Sequence, residues 1–258
     1  MTHLSPLAML AAPTLPQAHR QGINALAAAR LQVEIAPYPD MGVGDLIELF
    51  WNNCFAASTR LAAADIGQPS SLRVPESFVR NGATRIHYRV MQVGHGPARS
   101  AITRVQVKTD CPGGQPSLLC GEENQNLAPV TLPEMIRRHG VNSRQIRRGV
   151  PLAIDPYLNM AVDDEITLRW GDSRLDLPRI EAHDVGRPVQ VWVPPALIQE
   201  AGDDHRLDVT YCILDWVGNN SRWAPARTLS IAALNPATAA TTLSAYQPRR
   251  PGSPCEPG

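Results

Sequence analysis

Trp216, Asn219, Asn220 and Trp223 flank and fill one turn, Gly218-Asn219-Asn220-Ser221. An indole offers a broad apolar face, and an amide side chain offers both donors and acceptors. Together on a loop they are suited to binding a partner. The plainer alternative is that the two indoles pack within the fold.

Other clusters fit reactive chemistry less well. Asp155, Asn159, Asp163 and Asp164 crowd one turn, where oxygen ligands could hold calcium. That ion takes six to eight oxygens, and ordinary turn chemistry explains the same residues more simply. The seven histidines, at 3, 19, 87, 95, 139, 183 and 205, contain no close pair with zinc-ligand spacing. No Ser lies in a G-x-S-x-G elbow, and Gly42-Val43-Gly44 lacks the later Gly and helix of a phosphate loop. Tyr88 and Tyr211 read as core-edge tyrosines bonded to backbone, with catalytic acids as the alternative. Arg137, Arg138, Arg144, Arg147 and Arg148 read as a solvated, charge-guarded edge, with an anionic partner as the alternative. No catalytic residue, metal site or cofactor is expected.

The elements that position these residues occur in duplicate. Ile35–Trp51, IAPYPDMGVGDLIELFW, is repeated as Ile154–Trp170, IDPYLNMAVDDEITLRW, at an offset of 119 residues, with nine of seventeen positions identical. Each segment ends in alternating apolar residues: Ile47, Leu49 and Trp51, then Ile166, Leu168 and Trp170. That period of two marks a half-buried strand with the Trp on the inward face. Matching strands follow at Ser70–Val74 and Val189–Val193, then at Ile86–Val90 and Val209–Ile213. A Val-Pro crossover precedes each of the latter, with one helical turn after the Pro. Asn52–Ala64 reads as a loop with a short strand. The opening segment of each copy, which carries the Arg cluster in the second, reads as an irregular edge strand. Extending the inward phase from Tyr211 and Ile213 turns Asp215 and Val217 inward and Trp216 outward. An outward indole is explained by an outside partner or by contact with the other copy. Truncating it should then cost an isolated second copy less than ~1 kcal/mol. By the same phase His87 faces solvent.

The expected organisation is a flexible leader over 1–12, a β-sandwich over 13–108, a linker over 109–126, a second sandwich over 127–234, and a disordered tail over 235–258. The linker is rich in Gly, Pro and polar residues, so each sandwich should fold alone. Fold class is all-β: two tandem antiparallel sandwiches. Apolar residues at 43% can form real cores. Equal numbers of basic and acidic residues, 24 each, argue against a nucleic-acid partner. Arg supplies 23 of the basic residues and Lys108 is the sole Lys, which reads as codon bias from a GC-rich genome. No segment reaches the ~20 apolar residues of a membrane span, and the N-terminus lacks the basic start of a secretory signal. Of the five cysteines, Cys111 and Cys120 are spaced to close a small loop in an oxidising compartment. Cys54 and Cys212, on strands of different copies, should stay reduced.

The turn before Gly44-Asp45-x-Ile47-x-Leu49-x-Trp51, the Val74-Pro75 crossover and the Tyr88 strand resemble the immunoglobulin-like β-sandwich repeats of large bacterial surface and adhesin-type proteins. The second copy departs by carrying Asp163-Asp164 in place of Gly-Asp. The resemblance implies an immunoglobulin-like fold and a non-enzymatic module, adhesive or spacer, with a protein or glycan partner. A carbohydrate-binding or enzyme-accessory module using the Trp216/Trp223 hairpin is the alternative. The family contributes no catalytic residues to carry over.

Overall fold

The computed structural model describes residues 9–19, 22–92, 94–115 and 122–231. Leader residues 1–8, Cys120 with its proposed bridge, and the tail from 232 onward lie outside this set.

The first copy carries β1 (Gly22–Ile23), β2 (Gln32–Ile35), β3 (Leu46–Trp51), β4 (Cys54–Arg60), β5 (Ser70–Arg73), β6 (Gly82–Met91), β7 (Ala98–Arg99) and β8 (Thr103–Val107). The second carries β9 (Val150–Ile154), β10 (Glu165–Trp170), β11 (Ser173–Asp176), β12 (Val189–Val193), β13 (Asp204–Leu214) and β14 (Arg227–Ile231). In the first copy the larger sheet runs β1-β8-β6-β3-β4, with β7 also on β6, and faces the two-stranded sheet β2-β5. In the second, β11-β10-β13-β14 faces β12-β9. Pairing is antiparallel except between β1 and β8. The fold is all-β, of the immunoglobulin-like antiparallel sandwich type.

The period-two pattern sets the burial. Ile47, Leu49, Ile166, Leu168 and Trp170 are sealed from solvent, and Trp51 is 2% exposed. One hydrophobic core is drawn from Leu15–Val107 and the other from Leu127–Ile231. Both indole Nε1 atoms are buried without a hydrogen-bond partner, so these rings contribute through packing alone.

Several local expectations change. Asn52–Ala64 contains a seven-residue strand, β4, which pairs with β3 along its length except at a bulge that leaves Ala56 without a partner. The opening segments keep edge pairing at Thr14 with Glu34 and at Thr131 with Ala153, but they also carry helices: α1 (Ala25–Ala28) in the first copy, then α2 (Glu134–His139) and α3 (Ser143–Arg148) in the second. Side-chain caps start α1 and α3, while α2 begins at Pro133 without one. The Asn24 side chain accepts from Ala27 N, and Asn142 with Gln145 forms a reciprocal box at the start of α3. The Arg cluster therefore lies on helices, where Arg137 and Arg138 pair with Glu134 at 3.2 and 2.5 Å. The helix after the Val193-Pro194 crossover, α4 (Pro195–Ala201), is longer than the one turn expected. Leu10, placed in the leader, already belongs to the fold: its N–H donates to Arg99 O at 3.1 Å and its carbonyl accepts from Ala101 N at 2.8 Å.

Gly140 shows how closely α2 sits on the larger sheet. Its backbone, at φ 73° and ψ −168°, lies in a region that side chains avoid. An added Cβ would stand 2.3 Å from Ser230 O. Gly140→Ala is expected to cost at least ~1–3 kcal/mol, read as a lower urea midpoint. An unchanged midpoint would mean the α2–β14 contact gives way freely.

Candidate functional site at the junction of the two copies

The turn after β13 is built around Asp215. Its Oδ1 accepts from Val217 N at 3.1 Å and Asn219 N at 2.8 Å, and its Oδ2 accepts from Asn219 Nδ2 at 2.9 Å. Asp215 and Val217 are buried and Trp216 is half-buried, which follows the strand's phase. The turn closes with Gly218 at φ 86°.

This turn lands on the first copy. Asn219 Oδ1 accepts from Ala25 N at 2.9 Å, and Asn219 Nδ2 also reaches Lys108 O at 2.8 Å. The Asn24 amide donates to Val217 O at 3.2 Å. Gly22 leaves room for the contact: a Cβ there would lie 2.2 Å from Val217 Cγ1 and 3.0 Å from the Trp216 ring. Trp216 thus covers β1 of the other copy, one of the two explanations open to an outward indole.

At the centre sits the only lysine. Lys108 Nζ lies 3.0 Å from Asp215 Oδ2 and 3.8 Å from Asp164 Oδ1; its side chain is 18% exposed and both carboxylates are fully buried. Nζ is off the line of a good hydrogen bond, so the attraction is chiefly Coulombic. Asp164 is held by Tyr157, whose hydroxyl donates to Oδ2 at 2.9 Å, and by Ala161 N at 3.0 Å. The first copy repeats this pair, with Tyr38 donating to Asp45 at 3.0 Å. Burial pushes the Asp164 carboxyl above the usual carboxylate range, and Asp215 adds to the rise. The Ala161 and Tyr157 hydrogen bonds and Lys108 oppose it.

The linker is packed, not loose. Cys111, Pro112, Gly113 and Gly114 are buried. Asn159 donates to Cys111 O at 2.9 Å, Gly113 N donates to Leu158 O at 2.8 Å, and Asn124 N donates to Trp223 O at 2.8 Å. Asn124 is fully buried. Trp223 is half-buried against this linker, with Arg169 stacked 4.9 Å from its ring centre. Asn220 is exposed, and its side chain accepts from Arg222 N at 2.7 Å.

The four candidate residues therefore divide. Trp216 and Asn219 meet the first copy, Asn220 faces solvent, and Trp223 faces the linker and Arg169. Sequence reasoning missed Lys108, Asp164 and Asp215 as a set. The usable signal was a lone Lys in an arginine-only chain, together with a Tyr and an Asp identical in both copies.

Elsewhere, the crowded turn at 155–164 points its polar groups at separate protein partners. Thr131 donates to Asp155, Asn159 donates to the linker, and Asp164 accepts from Tyr157. Among the described residues no cluster could hold a metal ion. Tyr211 donates to Ala128 O at 2.9 Å, a backbone group. His87 does not face solvent. It is 6% exposed because Phe50 stacks on it at 5.0 Å, and burial, then Arg99 and Arg85, lowers its pKa. Cys54 and Cys212 are free thiols, on β4 and β13.

No family model and no curated protein matches the chain. Among solved structures, a bacterial ice-binding adhesin matches at 14% identity and a TM-score of 0.36. The match covers 87% of this chain and 65% of that one, so this chain spans less than two thirds of that length. The fibronectin(III)-like modules of Clostridium thermocellum CbhA match at 9% identity and a TM-score of 0.43, covering 85% of this chain and 93% of theirs. An immunoglobulin-like domain of the M. primoryensis ice-binding adhesin matches at 19% identity and a TM-score of 0.28, covering 39% of this chain and all of that one. The chain is similar to bacterial immunoglobulin-like adhesin repeats. No helix among the described residues is long and apolar enough to cross a membrane.

Proposed function

We propose that the chain is a non-enzymatic structural module, in which two immunoglobulin-like units are joined into one stiff spacer that presents its sheet faces to partners. The observation that carries this reading is the junction. A side-chain-organised turn, a half-buried Lys between two buried carboxylates and a packed linker occupy the place where a flexible connection would otherwise lie. Domains joined by a loose, exposed linker move relative to each other by default. Here Asn219, Asn24 and Lys108 bind backbone and carboxylates across the joint, which opposes bending. A spacer needs that stiffness, and an adhesive unit that must hold a surface at a set angle needs it equally.

Small-angle scattering of the full chain tests the proposal. The native protein is expected to give a narrow distribution of dimensions. Gly22→Leu drives a branched side chain into Val217 and Trp216 and is expected to broaden that distribution while near-ultraviolet circular dichroism still reports packed cores. A native protein as broadly distributed as the variant would overturn the spacer reading.

A further inference from the structure

The outer face of the first copy's larger sheet carries charge that the fold does not use. Arg85 on β6 and Arg104 on β8 are directly opposed in the ladder. Arg99 on β7 stands opposite Arg89, which is committed to Glu48 at 2.6 Å. Arg85, Arg99 and Arg104 are exposed and make no ion pair among the described residues. Like charges directly across an antiparallel pair destabilise it.

The second copy shows that the fold does not require this. Its strand registers place Asp208 where the first copy has Arg85, and Thr228 where it has Arg104. There Thr228 donates to Asp208 at 2.7 Å, a self-satisfied pair. At the position of Phe50 the second copy has Arg169, and at that of Phe55 it has Arg174. The first copy instead lays Phe55, Phe50 and His87 in a row across three strands, with Phe55 52% exposed.

The three guanidiniums border an open groove of about 710 Å³, floored by Pro97, Ala101 and Ile102. Trp216 lines an adjoining hollow beside Arg85 and Arg104. We propose that this groove is a docking surface for an acidic segment of a partner protein, whose carboxylates pair with Arg85, Arg99 and Arg104 while a neighbouring apolar side chain fills the groove floor. Guanidinium forks match carboxylates in two-pronged geometry. The groove is too large and too apolar for a lone inorganic anion. A polyphosphate chain would leave the Ile102 and Pro97 floor unused, and the chain's balanced charge lacks the basic excess of a nucleic-acid track. Arg and aromatic residues set together are the usual anchors of protein interfaces. Opposed arginines are then a cost in the free protein that a bound carboxylate relieves.

The test uses the full chain and a fluorescently labelled random copolymer of Glu and Tyr, with heparin, duplex DNA and inorganic phosphate as competitors. The copolymer is expected to bind at low ionic strength and weaken as salt is added. It should be displaced poorly by the competitors at equal charge. R85Q/R104Q is expected to weaken binding roughly tenfold or more, and R137Q/R138Q, on α2, to leave it unchanged. R85Q/R104Q should also unfold at the same urea concentration or a higher one, which separates lost binding from lost fold. Absence of copolymer binding, tighter binding of heparin or DNA, or indifference to R85Q/R104Q would each overturn the proposal.

Discussion

Lys108→Met is expected to destabilise the protein by about 3–5 kcal/mol, and by more at pH 8 than at pH 5. Removing the ammonium leaves Asp164 and Asp215, both fully buried, without a cation. Stripping one partner from a buried charge set costs far more than the set contributes net, because the remaining charges can neither reach water nor leave. The pH dependence follows from Asp164. Burial already raises its folded-state pKa above the unfolded value, and Lys108 is one of the groups that hold it down. Without Lys108 the folded value rises further. An acid with a raised folded pKa favours the folded state at low pH, and that benefit is lost as pH climbs through the folded value. The variant's deficit should therefore shrink on acidification. Urea unfolding of both proteins at the two pH values checks this. A deficit within ~0.5 kcal/mol of zero, as at an ordinary surface site, would show that water reaches the carboxylates. A deficit independent of pH would show that Asp164 is not the group left exposed to the loss.

Trp170→Ala should cost a further ~3–5 kcal/mol in its own right, and Trp216→Ala in the full chain about 1–2 kcal/mol. Trp170 is sealed in the core between Ile166, Leu168 and the strands opposite, so truncation removes a large apolar contact and leaves a cavity. Trp216 is half-buried: its ring lies against Gly22 and borders a hollow lined by residues 83–85 and 104–106 of the first copy. Its loss is felt only through the junction, so an isolated second copy should lose under ~1 kcal/mol. Because the Trp170 Nε1 has no partner, Trp170→Phe should cost well under half as much as Trp170→Ala. Equal losses at positions 170 and 216 in the full chain would place Trp216 in a core of its own.

Cutting at 109 and 127 to separate the copies carries a penalty the sequence does not predict. The second copy would lose Asn124, which ties the linker to Trp223, and the Cys111–Gly114 stretch that hydrogen-bonds to Asn159 and Leu158. A second-copy fragment starting near residue 109 retains those contacts and is the better unit for such comparisons.

The sequence by itself determined the duplication, the strands at Leu46–Trp51 and Glu165–Trp170, and the inward Trp at the end of each. These follow from a period of two and from identity between copies, both local properties of the chain. It also set the phase that buries Asp215 and Val217. Only the tertiary structure decided what those residues meet. Asp164, Lys108 and Asp215 are far apart along the chain, and no spacing rule links them. The linker became buried because its polar groups found partners within the linker and on the second copy, at Leu158, Asn159 and Trp223. Within the opening segments α1 and α3 formed because asparagine caps outweighed weak strand alternation, and α2 starts at Pro133 without such a cap. His87 is outward by phase yet covered, because Phe50 is its cross-strand neighbour. The Arg85–Arg104 opposition appears only once the β6–β8 register is known, since a shift of one residue would have placed different side chains across from one another.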